Sequence, residues 1–219
     1  MCDTSRTASV VAVPPVMSAS LPNMGNVNGA GTSPLRSGLN LSFGMKDSYK
    51  ETKWMKGEIG KGYKIIFSGR TSTRNGVGVI LDKEMKIKVV DVERKSDRII
   101  MVKLVGEEKV LNVISAYASQ VSCEVREKEE FWRVMDEVKQ GIPDYRDVVI
   151  GGDMNGQAGS EKVEYERVHG GYGFGERNEV GEKVLDYAAS YGLATMNTYF
   201  KKREEHYITY KSGGNRSQN

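Results

Sequence analysis

From residue 63 onward the chain is a series of short apolar runs separated by polar or glycine-containing breaks. The runs are YKIIFS at 63–68, GVGVIL at 76–81, KIKVVDVE at 86–93, RIIMVKLV at 98–105 and VLNVISAY at 110–117. Their length and their content of β-branched and aromatic residues mark strands rather than helices. Within 86–93, Lys86, Lys88 and Asp91 alternate imperfectly with Ile87, Val89 and Val92, as in a strand with one face in water. The spacing predicts a meander of antiparallel strands.

Two segments break this period. Over about 122–140, Val125, Phe131, Val134, Met135 and Val138 fall mainly on one helical stripe, with Glu and Arg opposite. Over about 179–191, Val180, Val184, Tyr187, Ala188 and Tyr191 recur at helical spacing; Asn178 is placed to cap the start and Gly192 to end it. Further strands are expected at 147–152, 193–200 and 206–210, and no internal repeat is visible. Antiparallel strands with helices between them imply an α+β layered sandwich, in which helices cover apolar sheet faces. Such an architecture carries its sites at strand ends, where loops vary over a rigid sheet.

Residues 1–45 read differently. They are rich in Ser, Ala, Gly, Asn and Pro, carry only Asp3, Arg6 and Arg36 as charges, and lack either periodicity. That composition implies a disordered low-complexity tail, with the folded part over 46–219. The whole chain, at 38% hydrophobic and 28% charged residues, has an ordinary globular balance, and no apolar run reaches the ~18 residues that would span a bilayer. A formal charge of +3 gives no global basic field, so any nucleic-acid contact must be local. Cys2 and Cys123 have neither zinc-site spacing nor the density of a disulfide scaffold, which points to a reducing intracellular setting, nuclear or cytoplasmic. The Ser-rich, acid-poor start keeps an organelle transit peptide as the alternative.

The segment VVIGGDMN at 148–155 carries the candidate chemistry. An apolar run ends in two glycines, which permit close backbone approach, and then in Asp153 and Asn155. If the chain stays extended, both polar side chains lie on one face and converge on one ligand. The competing reading is a plain turn after a strand, since Gly, Asp and Asn are preferred turn formers.

Three motifs in order, KETKW at 50–54, SAYA at 115–118 and GGDMN at 151–155, resemble the endonuclease/exonuclease/phosphatase superfamily, which has the DNase I-like fold. The wording NGVGVILD at 75–82, SDRIIMVKL at 96–104, RVHGGYGFGERNEVGEKVLDYA at 167–188 and FKKREEHYITYKSGGNRSQ at 200–218 is similar to retroelement-type endonucleases of the craniofacial development protein 2-like group. The resemblance spans roughly 50–218, most of the chain. It implies a DNase I-like layered β-sandwich flanked by helices, a Mg²⁺-dependent (or Mn²⁺-dependent) hydrolase cleaving phosphodiesters, and DNA as partner. It assigns Glu51 as a metal ligand, a hard oxygen donor suited to Mg²⁺. Tyr117 matches a tyrosine touching the scissile phosphate, Asp153 the aspartate that orients water or shuttles a proton, and Asn155 the amide that bonds the phosphate. Without the resemblance, Glu51 is an ordinary exposed glutamate and Tyr117 an amphipathic strand aromatic.

Other residues are read more plainly. His169 and His206 are loop or surface histidines, outside the family's Asp-His motif. Lys201, Lys202 and Arg203 could contact phosphates, but Glu204 and Glu205 follow, and a solvated charged turn is the simpler account. Arg177 and Asn178 share the GERNEVGEKVL segment, where capping explains Asn178.

Family members open on a strand with a Trp-Asn pair and close on a Ser-Asp-His segment; neither is matched here. The expectation is a partial domain, truncated at both ends and catalytically impaired, since one positioned acid–base group is worth about 10²–10⁴ in rate. The alternative is a non-catalytic, domesticated nucleic-acid-binding or interaction module; a phosphatase of the same superfamily is the third reading.

Overall fold

The structure is a computed structural model, and it describes residues 56–59, 62–69, 76–107, 109–208, 210–212 and 215–217. Glu51 and the tail expected over 1–45 lie outside the described residues. The first sheet has the order β1-β2-β3, from β1 (Lys56–Ile59), β2 (Tyr63–Ser68) and β3 (Val77–Leu81), all antiparallel. The second has the order β4-β5-β6-β7, from β4 (Val89–Ser96), β5 (Ile99–Val105), β6 (Val110–Tyr117) and β7 (Asp147–Asp153). Helix α1 (Val125–Gln140) joins β6 to β7, and α2 (Glu179–Ser190) follows. A short hairpin, β8 (Tyr210–Ser212) with β9 (Asn215–Ser217), ends the described residues.

The apolar run IIMVKLV of β5 is near-continuous because both of its faces are covered. Ile100, Val102 and Leu104 pack with Ile66, Val77, Val79 and Leu81 of the first sheet. Ile99 and Met101 pack on the opposite side with Phe131, Trp132, Met135 and Val138 of α1. The layers are therefore sheet, sheet and helix, the α+β arrangement expected from the pattern. Each fully buried aliphatic side chain of this kind stabilises by about 1.5–3 kcal/mol.

Several expectations are corrected. The meander expected over 63–117 is split between two sheets, β3 pairing with β2 and not with β4, and the later strand β7 joins parallel to β6. The α1 crossover returns the chain to the same end of the sheet, and a parallel neighbour requires such a connection. Helix α1 starts at Val125, not 122, and Val125 is exposed rather than part of the buried stripe. The strand expected from 86 begins at Val89, because Asp82 diverts the chain: its carboxylate accepts from Glu84 and Met85 N–H at 2.9 and 2.8 Å, opening the 3-10 turn Lys86–Lys88. The strand expected over 193–200 is instead a 3-10 turn, Met196–Thr198. There the Thr198 hydroxyl donates to the Thr195 carbonyl at 2.7 Å and accepts from Gly170 N–H at 2.8 Å, local bonds that compete with a ladder. The strand expected over 206–210 is displaced to β8, behind a 3-10 turn at Glu204–His206. Among the described residues no helix is long and apolar enough to cross a membrane.

Candidate functional site

The parallel register of β6 and β7 sets Tyr117 opposite Asp153 at the carboxyl ends of both strands. One residue earlier Gly152 faces Ala116 with φ of 145°, and a Cβ there would overlap the Ala116 carbonyl oxygen. Glycine is what lets the backbones approach and seats Asp153 beside Tyr117. The Ala118 N–H then donates to the Asp153 carbonyl at 2.9 Å, extending the pairing past the strand end.

Beyond Asp153 the chain does not stay extended. The Asp153 carboxylate accepts from Asn155 N–H at 2.8 Å, and Asn155 sits at φ of 49°. This is an Asx turn, in which Asp and Asn are favoured because their short polar side chains bond their own backbone and tolerate the left-handed region. The expectation of an extended chain is thus corrected: a turn follows the strand, as the competing reading has it, and it is the Asn155 backbone N–H that meets the Asp153 carboxylate. The Asn155 carboxamide donates one hydrogen to the Ala118 carbonyl at 2.8 Å, which leaves a second N–H and an oxygen in its inventory.

Asp153 is only 4% exposed. Burial pushes its carboxyl above the usual carboxylate range, against the opposing bond from Asn155 N–H. Tyr117 is half-buried, and its phenol is raised by burial and then by the Asp153 charge, with Arg98 and Gln120 acting the other way. The Arg98 guanidinium lies over the Tyr117 ring, 5.2 Å from its centroid.

The loop after Asn155 is tied to α2. Asn178 caps the helix as expected, accepting from Gly181 N–H at 2.8 Å, and also accepts from Gln157 N–H at 3.1 Å. Gly156 lies against the first turn of α2, where a Cβ would press on Gly181 N and Val180. Gln157 donates to the Phe174 and Glu176 carbonyls at 3.0 and 2.9 Å, closing the 157–176 segment on itself. Arg177 packs over Tyr165 at 4.5 Å and donates to the Glu161 carbonyl at 2.6 Å.

His169 lies in a loop, one of the two settings expected, but it is buried rather than at the surface. Its side chain is 1% exposed, with Nε2 3.2 Å from the Gly159 carbonyl and Nδ1 accepting from Gly171 N–H at 3.0 Å. These partners fix a neutral ring with the proton on Nε2. His206 is exposed, as expected. Lys201 and Arg203 are exposed, and Arg203 pairs with Glu205 at 3.5 Å, in keeping with a solvated turn.

No group of three or more His, Cys, Asp or Glu side chains comes together among the described residues. Asp153 and Asn155 are oxygen donors of the type Mg²⁺ accepts, and the expected ligand Glu51 lies outside the described residues. The residue missed by sequence reasoning is Arg98. Its signal was its position in SDRIIMVKL, immediately before a strand that pairs with the one carrying Tyr117.

No family model matches the chain. It is 28% identical over 165 residues to craniofacial development protein 2 of Bos taurus, and 28% identical over the same length to that of Tragulus javanicus. Each alignment covers 74% of this chain and 28% of the relative, so the chain corresponds to well under half of those proteins.

Proposed function

We propose that Tyr117, Asp153 and Asn155 form part of a Mg²⁺-dependent (or Mn²⁺-dependent) phosphodiester-cleaving centre acting on DNA, in a DNase I-like domain of retroelement origin. The observation that carries this reading is the pairing of Tyr117 with Asp153 across two parallel strand ends, with Asn155 turned back to the same point. Asp153 suits the role of orienting a water or holding its proton, because burial raises its basicity toward the working range of a general base. The second amide hydrogen of Asn155 is the donor for a phosphate oxygen as charge builds, and the Tyr117 hydroxyl is the proposed contact to the scissile phosphate. Glu51 is the proposed ligand for the metal, which when bound supplies charge stabilisation at a phosphate oxygen. Phosphoryl transfer depends chiefly on placement and charge stabilisation, which rigid strand ends provide. An intracellular setting, nuclear or cytoplasmic, belongs to the same proposal.

The test is nicking of supercoiled plasmid by the purified full chain with Mg²⁺, beside Asp153→Ala. Metal-dependent nicking that falls at least about 10²-fold in the variant is expected; nicking indifferent to the substitution sinks the proposal. The alternative reading is a non-catalytic nucleic-acid-binding or interaction module. DNA binding that weakens steeply with salt, without cleavage, selects it.

A further inference from the structure

We infer that Arg98 is a positioning residue for the strand-end cluster: it braces the Ala118 carbonyl on which the Asn155 carboxamide is anchored, and Glu127 of α1 holds it in place. The activity arm of the test rests on the function proposed above; the structural arm does not.

Arg98 sits between β4 and β5, one residue before Ile99. Its backbone carbonyl accepts from Tyr117 N–H at 2.9 Å, so its side chain starts beside the end of β6. Nη1 donates to the Tyr117 and Ala118 carbonyls at 3.4 and 3.5 Å. The guanidinium carbon stands 5.2 Å from the Tyr117 ring centroid. Nη2 donates to Glu127 Oε1 at 2.6 Å.

Each carbonyl contact is long, and neither alone fixes the group. The same planar fork also lies over the Tyr117 ring and reaches Glu127, so these contacts together orient it. Ala118 is the common point. Its N–H donates to the Asp153 carbonyl, and its own carbonyl accepts from Asn155 Nδ2 at 2.8 Å. A connected path of hydrogen bonds therefore runs from the first turn of α1, through Arg98 and Ala118, to Asn155 and Asp153. A role confined to the ion pair is the simpler alternative. Glu127 is 46% exposed, however, and a pair of that kind contributes little by itself. What distinguishes positioning is a response at Asn155, which Arg98 does not touch.

The readout is the side-chain amide of Asn155 in the ¹⁵N-labelled full chain, assigned by its loss in Asn155→Asp. Arg98→Gln should shift that amide pair and speed its exchange with solvent, and Glu127→Gln should do the same to a smaller degree. Arg98→Lys keeps the charge but not the fork, and should loosen the amide while the fold, followed by circular dichroism, is kept. An Asn155 amide unchanged in Arg98→Lys overturns the inference, even if Arg98→Gln fails to fold. In the nicking assay Arg98→Lys should lower kcat about 10-fold to 10²-fold with KM for DNA nearly constant, as misplacement of a reacting group does. If the unsubstituted chain does not nick DNA, the proposed function falls, while the amide readout still decides the role of Arg98.

Discussion

Tyr117 and Asp153 are the last register pair of two parallel strands, and Gly152 is the residue that permits it. At φ of 145° beside the Ala116 carbonyl, position 152 has neither the backbone conformation nor the space for a side chain. Gly152→Ala should cost about 3 kcal/mol or more, the sum of an unfavourable backbone region and a backbone clash. Gly192 is the internal control: its φ is 62°, with no atom within 4 Å of an added Cβ, so Gly192→Ala should cost only about 1 kcal/mol. Urea unfolding of both variants checks the contrast. Equal costs would mean that the close approach at Ala116 relaxes freely.

Asp153 gives a pH prediction whose sign follows from burial. Its folded pKa is raised, so the native state holds the proton more tightly than the unfolded chain does. Its unfavourable contribution is absent below the unfolded carboxyl pKa, grows as pH rises toward the folded value, and is fully present above it. Asp153→Asn keeps an oxygen for Asn155 N–H and removes the buried charge. The variant should melt at a higher temperature than the parent at neutral pH, with the difference vanishing in acid. A variant less stable at neutral pH would show that the ionised carboxylate gains more from its surroundings than burial costs it.

The core was legible in the sequence because its strands are long apolar runs whose residues satisfy one requirement, burial. Runs at 63–68, 98–105 and 110–117 match β2, β5 and β6 to within a residue, and the Asn178 cap was readable from its place before a helical stripe. Direction and polar detail were not. The parallel run of β7 depends on where α1 delivers the chain, which no local pattern encodes. At 193–200 the apolar content suggested a strand, but hydroxyl bonds of Thr198 won locally. Strand content likewise did not show that 86–88 would be drawn into a turn by Asp82.

The candidate site was legible as a list of residue types, since Asp153 and Asn155 close an apolar run and Tyr117 closes another. Its geometry was not, because alternation predicts convergence only for an extended chain, whereas Asn155 N–H folds back onto the Asp153 carboxylate. Arg98 escaped notice for the same reason. Its partners, Ala118 and Glu127, lie 20 and 29 residues away in sequence and are brought near only by the β5–β6 pairing and the start of α1.

His169 makes the 157–176 segment sensitive to acid. Burial lowers its pKa, helped by the charges of Arg177 and Lys162 and opposed by the Gly159 carbonyl. A depressed histidine pKa means that the unfolded chain takes up the proton first. The stability the neutral ring supplies is complete above about 6.5, the unfolded value, and is lost as pH falls from there toward the folded value. Protonation also turns Nδ1 from the acceptor of Gly171 N–H into a second donor, so that bond is broken as well as the charge buried. The Gly171 amide, followed by hydrogen exchange between pH 8 and pH 5 and corrected for intrinsic rates, should lose protection on the acid side. His169→Gln removes the titration: it should cost about 1–3 kcal/mol at neutral pH for imperfectly replaced buried bonds, and leave Gly171 protection flat across the range. If protection in the parent is equally flat, the ring does not hold the loop in its neutral form, and the apolar cluster of Tyr165, Val168 and Leu185 carries the segment instead.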